Sequence, residues 1–377
     1  MAVPLDTYDR SGMVDYHYGR FPPGDLNLTR LIEPLVRAQD AISRYDQLLL
    51  SLPNSELLLA PLRQNEAVIS SRMEGTISTV DEVMIHEAEV GEGGTGGGAR
   101  NDVIEVALYS SVLRRAQAAV AEGQPINAGL IKNAHRVLLS FGRGSAKSPG
   151  EYKTEQNYVG DDRRRILHFR PISPLQLEPG MERLLRFVRD DTTVPLLRVG
   201  LAHVEFEALH PFDDGNGRIG RLLITLLLWQ YGMIHKPHFY ISAFFERNKD
   251  EYLERMRAVS RDDDWTGWSA FFLDAVSEQA RQNMQTAKQI MALYERMKGQ
   301  FREVSGSKWH LAAQDCIFET PVFRNQHLIR RSQMPKHVAV RMTKLLHDAG
   351  LLREIRPASG RRGALFMFEP LMEIVRA

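Results

Sequence analysis

HPFDDGNGRIGR, residues 210–221, lies between two helical patterns and decides how the rest of the chain is read. Pro211 pushes the residue before it out of helical geometry, so a helix arriving from the N-terminal side stops with His210 at its end, facing the loop. Gly215, Asn216 and Gly217 permit a tight turn whose backbone N–H groups converge, and the helix that follows presents its positive dipole end there. Together these make an anion site. Arg218 and Arg221, three residues apart, share one face of the first helical turn, a spacing that suits a phosphate clamp. Asp214, just ahead of the turn, offers a carboxylate where Mg²⁺ on a phosphate takes one of its few protein oxygens. A lone histidine at a helix end is ordinarily a cap for the negative dipole end. The whole set, collected in one short segment, is what points to chemistry.

Working outward, helical periodicity is predicted over Leu28 to Leu50, Pro61 to Glu74, Ser111 to Ala121, Asn127 to Ser140, Leu177 to Asp190 and Pro195 to Leu209 on the N-terminal side. On the other side it covers Arg218 to Tyr231, Arg247 to Ser260 and Trp265 to about Met297. Glu151 to Pro174 is rich in aromatic and β-branched residues around a Gly-Asp-Asp turn signal, which predicts a β-hairpin. The apolar run Leu222 to Ile234 is shorter than the roughly 20 residues that span a bilayer and reads as a helix buried on all sides. GEGGTGGGAR, residues 91–100, lacks the Gly-Lys-Ser/Thr ending of a phosphate-binding loop and reads as a linker.

A third unit begins near Ser305. There, Asn325 to Ser332 and Lys336 to Gly350 read as two short helices around a turn, followed by a strand, a basic loop and a strand, the order of a winged helix-turn-helix. From Arg302 to Ala377 the chain holds 13 Lys and Arg against 7 Asp and Glu, so a basic tail hides in a total formal charge of +1. That near-neutral total excludes an obligate polyanion binder and makes any nucleic-acid surface local.

The chain's 377 residues, 43% hydrophobic and 25% charged, exceed one compact core and suit two or three domains of ordinary globular composition. The single cysteine, Cys316, excludes an intramolecular disulfide framework and a multi-cysteine zinc site, fits a reducing compartment, and sits where an inert core thiol is expected. The charged N-terminus gives no support to secretion, so a cytoplasmic protein with no membrane partner is expected. His135, His168, His203, His235 and His238 show no zinc-ligand spacing with a carboxylate.

Residues 210–221 resemble, at every defining position, the signature of Fic domain proteins, HPFx[DE]GNGRxxR, and the resemblance extends over about residues 20 to 275. It implies a mainly α fold, a Fic-type helical core with a β-hairpin flap, and transfer of AMP from ATP to a Ser, Thr or Tyr hydroxyl of a target protein and of the chain itself. By that resemblance His210 is the general base. Asp214 holds Mg²⁺, and ATP is bound by Asp214, Gly215, Asn216, Gly217, Arg218, Ile219, Gly220 and Arg221, the turn cradling the α- and β-phosphates and the arginines neutralising the leaving pyrophosphate. Upstream, SSRMEG resembles the family's inhibitory motif [ST]xxxE[GN], here Ser70, Glu74 and Gly75. A Glu74 carboxylate beside Arg221 would occupy the guanidinium meant for the γ-phosphate and hold ATP in an unproductive pose. GEYKTEQNYVG resembles the flap, with Asn157, Tyr158 and Val159 as the strand edge that pairs with an extended target segment. The stretch NKDEYLERMRAVSRDDDW is similar to the segment that packs on adenine, which implies Tyr252, and more weakly Leu253 and Ser260.

The expected domains are an N-terminal helical region with the inhibitory motif at 1–100, a Fic catalytic domain at 101–298 and a winged-helix domain at 299–377. Family habit implies a homodimer. Two competing functions stay open at this point. Removal of AMP from a target would use the same site with a water aligned by Glu74, and a DNA-binding regulator would work through the basic tail.

Overall fold

The computed structural model describes residues 7–52, 54–90, 99–360 and 362–377, so nearly all of the glycine-rich linker lies outside the described residues. In chain order the first elements are β1 (Val14–Asp15), α1 (Leu28–Ser51), α2 (Ser55–Leu58), α3 (Ala60–Met73), α4 (Val80–Val90), α5 (Asn101–Ala121) and α6 (Ala128–Leu138). The hairpin strands β2 (Val159–Asp161) and β3 (Ile166–Arg170) come next, then α7 (Pro174–Arg189), α8 (Pro195–Leu209), α9 (Asn216–Gln230), α10 (Ser242–Arg247), α11 (Lys249–Asp262) and α12 (Trp265–Ser305). The chain ends with α13 (His310–Glu319), β4 (Val322–Arg324), α14 (Asn325–Ser332), α15 (Lys336–Asp348), β5 (Arg353–Arg356), β6 (Leu365–Met367) and α16 (Glu369–Arg376). The fold is mainly α with two small sheets. Among the described residues no helix is long and apolar enough to cross a membrane.

The chain forms two compact units, one of residues up to Asp46 with Ser111–Arg281, the other of Gln47–Ser110 with Gln282–Ala377. In the first unit α8 packs against α7 and α9. Both α8 and α9 are apolar around most of their circumference because they form the centre of this unit: Leu222, Ile224, Leu226, Leu227 and Leu228 are all between 0% and 2% exposed. Each such side chain contributes about 1.5–3 kcal/mol by leaving water. At the crossing with α12, Trp268 Nε1 donates to the Gly200 carbonyl at 2.8 Å, and a methyl group at 200 would fall 2.6 Å from Phe272 Cδ1. Gly200 therefore sets how closely α12 approaches the helix that carries His210.

The hairpin forms, with its turn at Asp162–Arg165, starting on the last residue of the Gly-Asp-Asp signal. Gly160 lies in β2 at a register shift, where a Cβ would fall 2.3 Å from the Ile166 carbonyl oxygen, so this glycine serves close strand approach. The sheet has the order β1-β3-β2, with β1 parallel to β3 in the register Val14↔Phe169. Behind β1, Tyr16 Oη donates to Glu205 Oε1 at 2.7 Å and His17 Nε2 lies 2.8 Å from Glu205 Oε2. Glu205 is fully buried on α8, and these two donors satisfy a carboxylate that would otherwise be costly to desolvate. The N-terminal segment is thereby tied to the helix ending at His210.

In the second unit α3 packs on α4, α13 and α16, and α4 packs on β4. The α3 helix ends in a left-handed Gly75, φ +91°, with the Thr76 N–H donating to Ser71 O at 3.2 Å, a closure that only glycine makes without strain. The second sheet has the order β4-β6-β5, antiparallel throughout, preceded by α13 and interleaved with α14 and α15. Much of this segment's positive charge is spent inside the unit. Arg376 Nη2 pairs with Asp81 at 2.7 Å, Arg324 and Arg356 with Glu89, and Arg353 with Glu369 at 3.0 Å.

Candidate active site

The α8 helix stops at His210, whose backbone is left-handed with φ +45° while its N–H still donates to Phe206 O at 3.0 Å. A non-glycine residue in this region carries strain that the surroundings must hold. His210 Nδ1 lies 3.3 Å from the Glu207 carbonyl oxygen. A carbonyl can only accept, so the imidazole proton sits on Nδ1 and the basic nitrogen is Nε2.

The loop from His210 to the start of α9 is braced from below. Phe212 N–H donates to Asn216 Oδ1 at 2.9 Å and Asn216 Nδ2 donates to Phe212 O at 2.7 Å, so the Asn216 amide is used to close the loop. Gly215 is left-handed, φ +78°, and a Cβ there would fall 2.9 Å from Leu138 Cδ2. From that turn α9 begins, and the first N–H groups of a helix lack intrahelical acceptors, which makes this end an anion site. Arg218 and Arg221, each 3% exposed, lie in its first two turns, and Arg218 Nη2 is 3.3 Å from Asp214 Oδ1. The Asp214 carboxylate is half-exposed at the loop's rim.

The two family models that this chain matches fall on these elements: the Fic/DOC family N-terminal model over residues 32–118, and the Fic/DOC family model over residues 125–228. The chain belongs to the Fic/DOC family. Protein adenylyltransferase fic-1 of Caenorhabditis elegans is 32% identical over 105 residues, 27% of this chain and 19% of that protein. A probable protein adenylyltransferase of Aquifex aeolicus is 30% identical over 90 residues, 24% of this chain and 26% of its own length. The matched part thus spans about a fifth to a quarter of these relatives. Among solved structures, a Fic family protein from Desulfovibrio desulfuricans aligns with a TM-score of 0.59 at 18% identity, covering 92% of this chain and 98% of that one. C. elegans Fic-1 aligns with a TM-score of 0.51 at 19% identity, covering 71% and 74%. At these identities the likeness concerns the fold.

Within this Fic core, the expected residues 210–221 come together in one loop and helix start. Ile219, 0% exposed, faces inward. The inhibitory residues lie at the end of α3 in the second unit, Ser70 fully buried and Glu74 exposed as the cap just after the helix. Of the three expected flap-edge residues, only Val159 belongs to β2. Tyr158 precedes it, and Asn157 turns inward: its Nδ2 donates to His210 O at 3.1 Å and to Phe212 O at 3.0 Å.

The residues expected at adenine, Tyr252, Leu253 and Ser260, all lie on α11. Tyr252 is 3% exposed, its ring stacked on Phe245 at 4.3 Å and its hydroxyl 2.8 Å from His203 Nε2. Ser260, 4% exposed, is engaged by His17 Nδ1 at 2.7 Å. Leu253 is the member of that group that meets solvent.

Two residues were missed by sequence reasoning. His135 on α6 accepts from the Gly150 N–H at Nδ1, 2.8 Å, and donates from Nε2 to Asp214 O at 2.9 Å, while its ring stacks on Phe212 at 3.7 Å. Burial pushes its pKa down to about 4, so it is a neutral strut beneath the loop. Lys153 is 4% exposed, and burial pushes its ammonium down to about 7, with Asp213 opposing the shift. Its Nζ donates to Asn157 Oδ1 at 2.7 Å and to Leu209 O at 3.1 Å, and its backbone N–H to Pro211 O at 2.9 Å.

Proposed function

We propose that this chain transfers AMP from ATP to a Ser, Thr or Tyr hydroxyl of a target protein and of itself, and that Glu74 restrains the reaction. The observation that carries this reading is the His210 geometry: Nδ1 engaged by the Glu207 carbonyl, and Nε2 as the basic nitrogen, on the loop that leads into the helix start of Arg218 and Arg221. Nε2 takes the proton of the target hydroxyl as its oxygen attacks the α-phosphorus. The bond from that phosphorus to the bridging oxygen of the β-phosphate breaks, pyrophosphate leaves with the bond's electron pair, and the proton remains on His210.

The N–H groups at the start of α9 and the guanidinium groups of Arg218 and Arg221 meet the charge that moves onto pyrophosphate. One half-exposed carboxylate beside an anion site suits Mg²⁺, which takes few protein oxygens and fills its shell with phosphate and water, so Asp214 would hold it. When bound, that ion neutralises charge on the phosphates. The strand β2 is an edge strand in the order β1-β3-β2, which supports docking of an extended target segment as a further strand. A Glu74 carboxylate paired with Arg221 would take the guanidinium from the γ-phosphate.

The test is ATP labelled at the α- or the γ-phosphate, given to wild type and Glu74→Gly. Uptake of α-label alone, much greater in Glu74→Gly, supports the reading, and γ-label on protein overturns it. A second reading, a winged-helix DNA contact by the C-terminal segment, is favoured by the exposed Lys336, Arg341 and Lys344 of α15. Duplex-DNA binding that persists after all three are changed to Ala would exclude it.

A further inference from the structure

Four consecutive carbonyls of the loop around His210 each accept a hydrogen bond from one of two flap-stem residues. Lys153 Nζ donates to Leu209 O at 3.1 Å, Asn157 Nδ2 to His210 O at 3.1 Å, Lys153 N–H to Pro211 O at 2.9 Å, and Asn157 Nδ2 again to Phe212 O at 3.0 Å. The two side chains are joined by Lys153 Nζ donating to Asn157 Oδ1 at 2.7 Å. Leu209 O and His210 O belong to the peptide planes on either side of His210, the residue with φ +45°. Those two planes fix φ and ψ of that residue. A strained conformation persists only where its surroundings over-determine it, and here the determination comes from the stem.

We infer that Lys153 and Asn157 are positioning residues that hold the backbone of His210 left-handed and so aim its imidazole at the reacting hydroxyl. The inference rests on the proposed AMP transfer for its catalytic consequence, but its geometric content stands apart from it. A lysine side chain donates whether charged or neutral, so the link to Leu209 and Asn157 survives either state. The side-chain amide is needed because it alone supplies two donors to the His210 and Phe212 carbonyls and one acceptor to Lys153. The polar groups of both side chains are directed to each other and to the carbonyls of the His210 loop, so their loss should act on turnover and leave nucleotide binding nearly unchanged.

The experiment places Lys153→Met, Asn157→Ala and the double change in the Glu74→Gly background. It measures kcat and KM for ATP, thermal melting, and the imidazole ¹⁵N signals of His210, assigned by their loss in His210→Ala. Asn157 is half-buried, so Asn157→Ala serves if Lys153→Met does not fold. The expected result is a fall in kcat of about 10²-fold with KM within about twofold, the scale of a catalytic group misplaced by about 1 Å. The double change should cost little more than either single one, since the pair acts as a unit, and the His210 signals should shift in each variant. Unchanged His210 signals, or a loss confined to KM and melting temperature, would overturn the assignment. If the Glu74→Gly parent itself transfers no AMP, the proposed reaction falls. The His210 signals then still decide the brace: shifted signals support it and unshifted ones overturn it.

Discussion

His210 Nδ1 lies 3.3 Å from the carbonyl oxygen of Glu207, three residues earlier on the same helix. The helix that delivers the histidine also fixes its tautomer, since the acceptor is the α8 backbone itself. His210→Ala should lower AMP transfer by about 10²- to 10⁴-fold, the usual worth of a positioned base. ATP affinity, measured by calorimetry on the same protein, should stay within about threefold. Undiminished transfer in that variant would remove His210 from its role.

In the proposed reaction Asp214 would hold Mg²⁺ through its carboxylate, and its pairing with Arg218 at 3.3 Å also helps order the first turn of α9. Asp214→Ala should raise the Mg²⁺ concentration needed for half-maximal transfer by about tenfold or more, with partial recovery at high Mg²⁺. A Mg²⁺ titration identical to that of the parent would contradict the assignment.

Gly200 admits no side chain, because a methyl group would meet Phe272 Cδ1 at 2.6 Å in a region where Phe272 is 0% exposed. Gly200→Ala should destabilise the protein by about 1–3 kcal/mol, the cost of overpacking a core, seen as a lowered denaturation midpoint. Alanine's better helix propensity works the other way and is smaller, about 1 kcal/mol. A variant as stable as wild type would show that α8 and α12 can separate without cost.

Burial holds His203 at about 3, far below the 6.5 of an exposed imidazole. Between those values the unfolded chain binds a proton that the native protein does not, so stability falls as pH drops from 6.5 toward 3, by about 1.4 kcal/mol per unit from this group. Lys153 acts at the other end. Its native value of about 7 lies below the ordinary 10.5, so the unfolded chain holds the extra proton from 7 to 10.5 and this group's contribution to stability rises with pH across that window. Urea denaturation across pH should show a shallower acid limb in His203→Phe and lose the alkaline gain in Lys153→Met. Parallel curves for variant and wild type would contradict these placements.

Much of the scaffold was readable because local rules agree with the fold. Pro195 at a helix start and Pro211 after its end bound α8 at the predicted limits, Pro195–Leu209. The hairpin announced itself by composition. What stayed hidden depends on distant partners. His135 acts on Asp214 across 79 residues and Lys153 on Leu209 across 56, and nothing near either residue signals the partnership. The strand β1 is two residues long and exists only because β3 is there to pair with it. The surroundings of Tyr252 were hidden for a related reason: an aromatic residue at helical spacing does not show that its ring stacks on Phe245. The bonds of Asn157 to His210 O and Phe212 O were hidden because an extended stem shows in sequence, while the direction in which its side chain turns does not.

The proposed reaction requires that His210 take a hydroxyl proton while the α-phosphorus changes partners. Intact-mass spectrometry of Glu74→Gly after incubation with ATP and Mg²⁺, with pyrophosphate assayed in the same samples, tests this most directly. The expected result is an added adenosine monophosphoryl group, one pyrophosphate released for each group added, and neither in Glu74→Gly/His210→Ala. A phosphate-sized addition, or adducts that persist without His210, would contradict it.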